Sequence, residues 1–92
     1  MYIKNEAVNI ELFSDGDGIM YNPDLGISAI LNSASIDIYN CLLNHTYDEA
    51  LKEYLTRYAE TIKQQAQLEQ KIIDDFKQIV NNFLDCEALF EK

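Results

Sequence analysis

The sequence is short of basic side chains, with 7 lysines and arginines against 16 acidic residues and a net charge of −9. Nucleic-acid affinity comes largely from lysine and arginine contacts to phosphates, and anionic membrane surfaces attract the same side chains. The charge balance therefore disfavours nucleic acid and membranes as partners. It favours a protein partner, for example one with a basic patch.

Long apolar runs and cysteines are also scarce. No apolar stretch approaches the ~20 residues that span a bilayer, and residues 1–6 lack the apolar run of a signal peptide. The only cysteines are Cys41 and Cys86, which are too few for a disulfide scaffold. We therefore expect a cytoplasmic protein with two reduced, partly buried thiols.

Patterns for metal binding or catalysis are missing as well. His45 is the only histidine, and both cysteines lie too far from it in sequence to form a zinc pattern. The Asp-Gly-Asp-Gly run at residues 15–18 resembles part of a calcium loop, but Phe13 stands at the first ligand position. A hairpin turn is the favoured interpretation. The sequence thus predicts no catalytic residue, no metal site and no cofactor.

The first third of the chain predicts three strands. Residues 7–13 alternate between apolar and polar side chains, which is the period of a half-buried strand. Residues 14–18 and 22–26 are rich in turn formers, with Asn, Pro and Gly at the first, second and last positions of the second turn. Short strands at 19–21 and 27–31 follow these turns. Three strands joined by short turns predict an antiparallel meander.

The rest of the chain predicts three helices. The first runs to about Asn44, and a capping box of Thr46 and Glu49 begins the second. Residues 59–67 are polar and fit a continued second helix, a loop or the start of a third. One face of a long third helix carries Leu68, Ile72, Phe76, Ile79, Val80, Phe83 and Leu84. The prediction is one α+β domain over 1–92, winged helix-turn-helix-like, with a three-stranded antiparallel meander followed by three helices.

The stretch 19–32 resembles the central part of PqqD-like proteins, which recognise the leader peptides of ribosomally made, post-translationally modified peptides. In that family an aromatic or apolar strand leads into an Asn-Pro-acid-x-Gly turn, matched here by residues 22–26, and the next strand ends in Leu-Asn before a helix. The capped helix start at Thr46, the stretch 75–84 and the apolar ending 88–90 resemble its second helix, third helix and C-terminal segment.

Two features depart from the family's pattern. The segment between Tyr58 and Asp75 is longer than in PqqD-like proteins, and Glu87 stands where a glycine commonly ends the third helix.

The resemblance implies a non-catalytic binding domain. The leader peptide would add as a strand to the third β-strand, in a groove between that strand and the third helix, and a separate modifying enzyme such as a radical-SAM maturase would act on it. An edge strand offers unpaired amides and carbonyls for this mode of binding. The implied peptide-binding residues are Gly26, Ile27, Ser28, Ala29, Ile30 and Leu31 on the strand, with Ile72, Phe76, Ile79 and Phe83 on the helix.

Two alternatives remain open at this level. A winged-helix DNA binder has a similar fold, although residues 67–86 carry two lysines against four acidic residues. A structural or scaffolding subunit would dock through the same strand edge onto a partner or its own copy. The sequence leaves both a monomer and a homodimer open.

Overall fold

A computed structural model describes all residues, 1–92, and gives an α+β architecture of two antiparallel sheets and four helices. In chain order the elements are β1 (Tyr2–Lys4), β2 (Asn9–Leu12), β3 (Gly18–Asn22), β4 (Ile27–Leu31), α1 (Ser33–Leu42), α2 (Tyr47–Arg57), α3 (Ala59–Gln64), α4 (Leu68–Asp85) and β5 (Leu89–Glu91). None of the helices combines the length and apolar character needed to cross a membrane.

The predicted meander is confirmed as the sheet β2-β3-β4, in which β2 and β4 are the two edges. Both hairpin turns use a glycine with positive φ, +93° at Gly16 and +65° at Gly26, where a Cβ would be strained. The Asp15 carboxylate accepts a hydrogen bond from the Asp17 amide at 3.0 Å, and Asp17 accepts one from the Ser33 amide at 3.0 Å. These two acidic side chains therefore serve the turn and the start of α1.

Side-chain caps fix the starts of α1 and α2. The Asn32 side chain accepts a hydrogen bond from the Ser35 amide at 2.8 Å. The predicted capping box is confirmed, with Thr46 N–H donating to Glu49 at 2.9 Å and Glu49 N–H donating to the Thr46 hydroxyl at 3.2 Å. These hydrogen bonds hold the pKa of Glu49 below its ordinary value because they favour the ionised carboxylate.

The core lies between the inner face of the meander and the helices. Met20 of β3 belongs to one apolar cluster with buried residues of α1, α2 and α4. Its fully buried large side chains include Met20, Ile38, Leu42, Phe76 and Leu89. Both cysteines are free thiols, Cys41 buried and Cys86 half-buried, as predicted.

The prediction of three strands and three helices is incomplete, because β1 and β5 form a second sheet that joins the two ends of the chain. The Tyr2 amide also donates to the His45 carbonyl at 2.9 Å, and Tyr2 accepts from the Asn44 amide at 2.9 Å. Three-residue strands are too short to display a period of two. Helix α1 ends at Leu42 rather than near Asn44, because Asn44 has φ +64° and so lies outside the right-handed helical region.

The polar segment that the sequence left open contains a separate short helix, α3, followed by a turn. None of the residues of α3 is buried. A helix without a buried face has no apolar period to read from the sequence, which is why this element could not be predicted.

Candidate functional site

A groove of about 350 Å³ runs between the edge strand β4 and the helix α4. Its lining carries no carboxylate, imidazole, ammonium or guanidinium group, so the site suits apolar side chains. The lining residues are Met20, Ile27, Ala29, Ile30, Leu31, Ser35, Ile79, Asn82, Phe83 and Cys86.

The two walls follow from the periods of a strand and a helix. Ile27, Ala29 and Leu31 alternate along β4 and therefore share the inner face of the sheet. On α4 and its C-cap, Ile79, Phe83 and Cys86 are spaced by three or four residues and share one side of the helix. An apolar strand face is thereby set opposite an apolar helix face.

The floor of the groove is soft and apolar. Met20 and Phe83 lie beneath it with almost no exposed surface. The Cys86 sulfur lies 3.9 Å from the Met20 sulfur and 3.5 Å from the Phe83 carbonyl oxygen. Thioether and thiol groups are polarizable and adapt to irregular apolar neighbours, so this floor can accept side chains of several shapes.

The outer border of the groove is an unpaired strand. Strand β4 pairs only with β3, from Asn22↔Ile27 to Gly18↔Leu31, and its other side has no partner. Alternate residues of such an edge direct their N–H and C=O groups outward. The groove therefore combines backbone hydrogen-bonding groups along one rim with apolar side chains inside.

Asn22 ties the β3–β4 hairpin to the end of α4. Its side chain is fully buried, donates to the Cys86 carbonyl at 2.9 Å and accepts from the Asp24 amide at 3.0 Å. One residue thus shapes the Asn-Pro turn and ties the end of β3, opposite Ile27 of β4, to the C-terminal end of α4. The sequence suggested only the turn role.

The C-terminus of α4 is closed by a Schellman motif. The Ala88 amide donates to the Phe83 carbonyl at 2.9 Å and the Glu87 amide to the Leu84 carbonyl at 3.1 Å. Glu87 has φ +56°, so it takes the left-handed conformation that a glycine usually supplies. From the other side, Asn5 donates to the Glu87 carbonyl at 2.8 Å. The helix end therefore has the backbone conformation that a glycine usually supplies, with Glu87 in its place.

Most of the predicted strand residues line the groove, but two do not. Ile27, Ala29 and Leu31 belong to its lining from the inner face of the sheet, and Ile30, whose side chain lies on the outer face, borders the groove at its rim. Gly26 lies in the turn, and Ser28 lies on the outer face of the sheet, opposite Tyr21 in register.

Only two of the four predicted helix residues form the groove wall, Ile79 and Phe83. The prediction of Phe76 as a wall residue is wrong: it is 0% exposed and packs against the rings of Tyr47 and Tyr54, at centroid distances of 5.5 and 5.4 Å. Ile72 is half-buried and also lies outside the lining. The apolar face of α4 is wide, and its N-terminal half is covered by α2.

Sequence reasoning missed four lining residues, namely Met20, Ser35, Asn82 and Cys86. Asn82 and Cys86 could have been found, because they lie three and seven residues after Ile79 and share its side of the helix. Met20 and Ser35 carried no such signal, since their position depends on how the sheet and α1 pack.

Three other hollows offer less to a ligand, and one of them, about 360 Å³, lies on the outer face of the sheet and includes Glu11. A wider one, about 570 Å³, lies over α2, α3 and the start of α4, and it includes Lys52 and Lys63. A smaller one, about 250 Å³, lies between the edge strand β2 and α1 and includes Lys4 and Tyr39. Only the groove between β4 and α4 joins a free strand edge to an uncharged lining.

The groups whose pKa is raised by burial belong to the core and its border rather than to this groove. Burial raises the pKa of Tyr39 to about 12, and its hydroxyl has no hydrogen-bond partner. Burial also raises the pKa of the Cys41 thiol. Since neither side chain lines the groove, these shifts reflect packing.

Comparison of the chain with protein-family models, with curated proteins and with solved structures finds no match in any of the three.

Proposed function

We propose that this chain is a stand-alone, non-catalytic recognition protein that binds the leader of a ribosomally made precursor peptide as an added strand along β4. It would present that precursor to a separate modifying enzyme, such as a radical-SAM maturase. The observation that carries the proposal is the free β4 edge above an uncharged apolar groove walled by α4. The PqqD-like pattern around the Asn-Pro turn supports the same interpretation.

The groove supplies two kinds of contact to an extended chain. Outward N–H and C=O groups of β4 would pair with the peptide backbone, at about 1 kcal/mol net for each hydrogen bond. Alternate peptide side chains would enter the groove, each burial contributing about 1.5–3 kcal/mol. After the cost of ordering the peptide, we expect dissociation constants near the micromolar range. The backbone contacts accept any sequence, so the apolar contacts must select it.

We expect a single strand to fit this edge more easily than a second copy of the chain. Helix α4 lies on the inner side of β4, where it walls the groove. If two copies joined through their β4 edges, two α4 helices would lie side by side on the inner face of the joined sheet. Neighbouring strands are ~4.8 Å apart, whereas packed helices need about 8–10 Å between axes. A leader peptide brings no helix layer, which favours it over the scaffolding alternative.

Duplex DNA is disfavoured by charge. Residues 67–86, which contain α4, carry two lysines against four acidic residues, and the chain as a whole carries −9. The fold we propose is a winged helix-turn-helix-like arrangement that serves peptide rather than DNA recognition. Because ribosomal precursors are made in the cytoplasm, that is the expected location.

Peptide selection tests the proposal without knowledge of the natural precursor. A library of random 12-residue peptides is displayed on phage and selected on the whole protein, and enriched sequences are synthesised and titrated into isotopically labelled protein. We expect micromolar binding, with amide shifts concentrated in residues 27–31 and 79–86.

Two outcomes would contradict the proposal. One is the absence of any enriched peptide that binds below about 1 mM. The other is binding that leaves residues 27–31 and 79–86 unshifted and instead moves β2 or α3.

A further inference from the structure

The outer face of the sheet carries an apolar side chain beside the free edge. Glu11, Ile19 and Ile30 are directly opposite one another across β2, β3 and β4. Ile19, flanked on both sides, is half-buried, whereas Ile30 is 69% exposed, the largest value among the exposed large apolar side chains. The row of side chains therefore ends in an apolar residue whose outer flank is uncovered.

A peptide strand added to β4 would place one side chain next to Ile30. Residues directly opposite in neighbouring strands have Cβ atoms ~4.5–5.5 Å apart on the same face. The peptide residue opposite Ile30 would point outward, and its two neighbours, opposite Ala29 and Leu31, would point into the groove. By contrast, the other outward position lies beside Ser28, next to the phenol of Tyr21.

Resting on the proposed function, we propose that the ligand of this site carries three consecutive apolar residues, which contact Leu31, Ile30 and Ala29 on alternate faces. The next position, beside Ser28, accepts polar residues, and the one after it, opposite Ile27, is apolar again. Reading from the peptide position opposite Leu31 to that opposite Ile27, the pattern is three apolar residues, one unrestricted residue and one apolar residue. A groove-only site would instead select strict alternation.

The experiment repeats the peptide selection with three baits: the wild type, Ile30→Lys and Leu12→Lys. Leu12 is a matched control, since it is 66% exposed but lies on the opposite edge strand, β2. In the wild type we expect the five-residue pattern. With Ile30→Lys, the middle of the three consecutive positions should change to Asp or Glu, while the groove-facing positions stay apolar. Leu12→Lys should leave the pattern unchanged.

A quantitative check uses one enriched peptide. Replacing its residue beside Ile30 with serine should weaken binding to the wild type about two- to fivefold, which corresponds to the energy of one cross-strand pair. The same replacement at the position beside Ser28 should change binding less than twofold.

The outcomes separate this inference from the proposed function. Enriched peptides with alternating apolar residues and no preference beside Ile30 would overturn the inference and leave the proposed function in place. An identical pattern from the wild type and Ile30→Lys would do the same. Failure to enrich any peptide would overturn the proposed function and the inference with it.

Discussion

The three-stranded sheet has two unpaired edges, and they differ in what lies beside them. At β4 a five-residue strand borders a groove of about 350 Å³ with no charged lining residue. At β2 a four-residue strand borders a hollow of about 250 Å³ whose lining residues include Lys4 and Tyr39. Backbone groups are free at both edges, so the difference lies in the neighbouring helix and the side chains. A free edge alone does not make a selective peptide site.

The largest expected change in peptide affinity comes from placing a charge in the β4 groove. Ile79→Glu puts a carboxylate on the wall of the β4 groove, and burying it against an incoming apolar side chain should weaken peptide binding at least ~100-fold. The matched change Leu12→Glu at the β2 edge should alter binding less than twofold. Fluorescence anisotropy with a selected peptide measures both, and circular dichroism verifies the fold. Equal losses in both variants would mean that β4 is not the binding edge.

Two buried asparagines, Asn22 and Asn5, donate hydrogen bonds to carbonyls at the C-terminal end of α4, from the side of β4 and from the side of β1. Comparing them separates an effect on the groove from an effect on overall stability. Asn22→Ala removes hydrogen bonds to the Cys86 carbonyl and from the Asp24 amide, which should lower the free energy of unfolding by about 2–3 kcal/mol. Because β4 is then free to shift from α4, peptide affinity should fall roughly tenfold. Chemical denaturation and anisotropy supply the two values.

Asn5→Ala is the control, because Asn5 donates to the neighbouring carbonyl of Glu87 at 2.8 Å from the side of β1. It should destabilise the fold by a similar amount while keeping peptide affinity within about twofold of the wild type. If the two variants lose equal affinity, Asn22 stabilises the whole fold and does not set the groove width.

A smaller effect is expected at Glu87, whose φ of +56° is unfavourable for any residue with a Cβ. Glu87→Gly should raise the free energy of unfolding by about 0.5–1 kcal/mol, after the greater flexibility of glycine in the unfolded chain is counted. Glu87→Ala retains the strain and should give no such gain. Thermal and urea unfolding of the two variants compare them, and a stabilised alanine variant would contradict the argument from φ.

The smallest change in stability is expected for Tyr39, which lies near β2. Tyr39→Phe removes a buried hydroxyl that has no hydrogen-bond partner, so stability at neutral pH should be unchanged or raised by up to about 1 kcal/mol. Peptide binding at β4 should not change. A loss above about 1 kcal/mol would mean that the hydroxyl makes a stabilising contact.

Alkaline unfolding tests the environment of Tyr39 separately. Its folded pKa is about 12, against 10.0 for an ordinary tyrosine, so raising the pH from 10 to 12 ionises the unfolded chain first and lowers stability. Tyr39→Phe should lose less stability over this range than the wild type. Some loss should remain, because burial also raises the pKa of Tyr2, Tyr47 and Tyr54.

The sequence predicted the elements that rest on local signals. Alternation and turn residues identified β2, β3 and β4, and the capping box of Thr46 and Glu49 identified the start of α2. The pairing of β1 with β5 joins residues from opposite ends of the chain, and no local pattern encodes such a contact. The short helix α3 buries no side chain and so lacked an apolar period.

The candidate site was predictable in outline but not in detail. The resemblance located the strand and the helix that border the groove, and both walls include predicted residues. Sequence period could not divide the wide apolar face of α4 between its neighbours, so Phe76 was assigned to the groove although it packs beneath Tyr47 and Tyr54. The Asn-Pro sequence predicted a turn at Asn22, but nothing in the sequence predicted the hydrogen bond from its side chain to the Cys86 carbonyl.

Amide hydrogen exchange of the complex with a selected peptide tests the central claim most directly. Strand addition predicts that the outward-facing amides of β4 become protected at saturating peptide, while the outward-facing amides of β2 continue to exchange at their rate in the free protein. Unchanged exchange along β4 in the saturated complex, or protection confined to β2, would contradict the account.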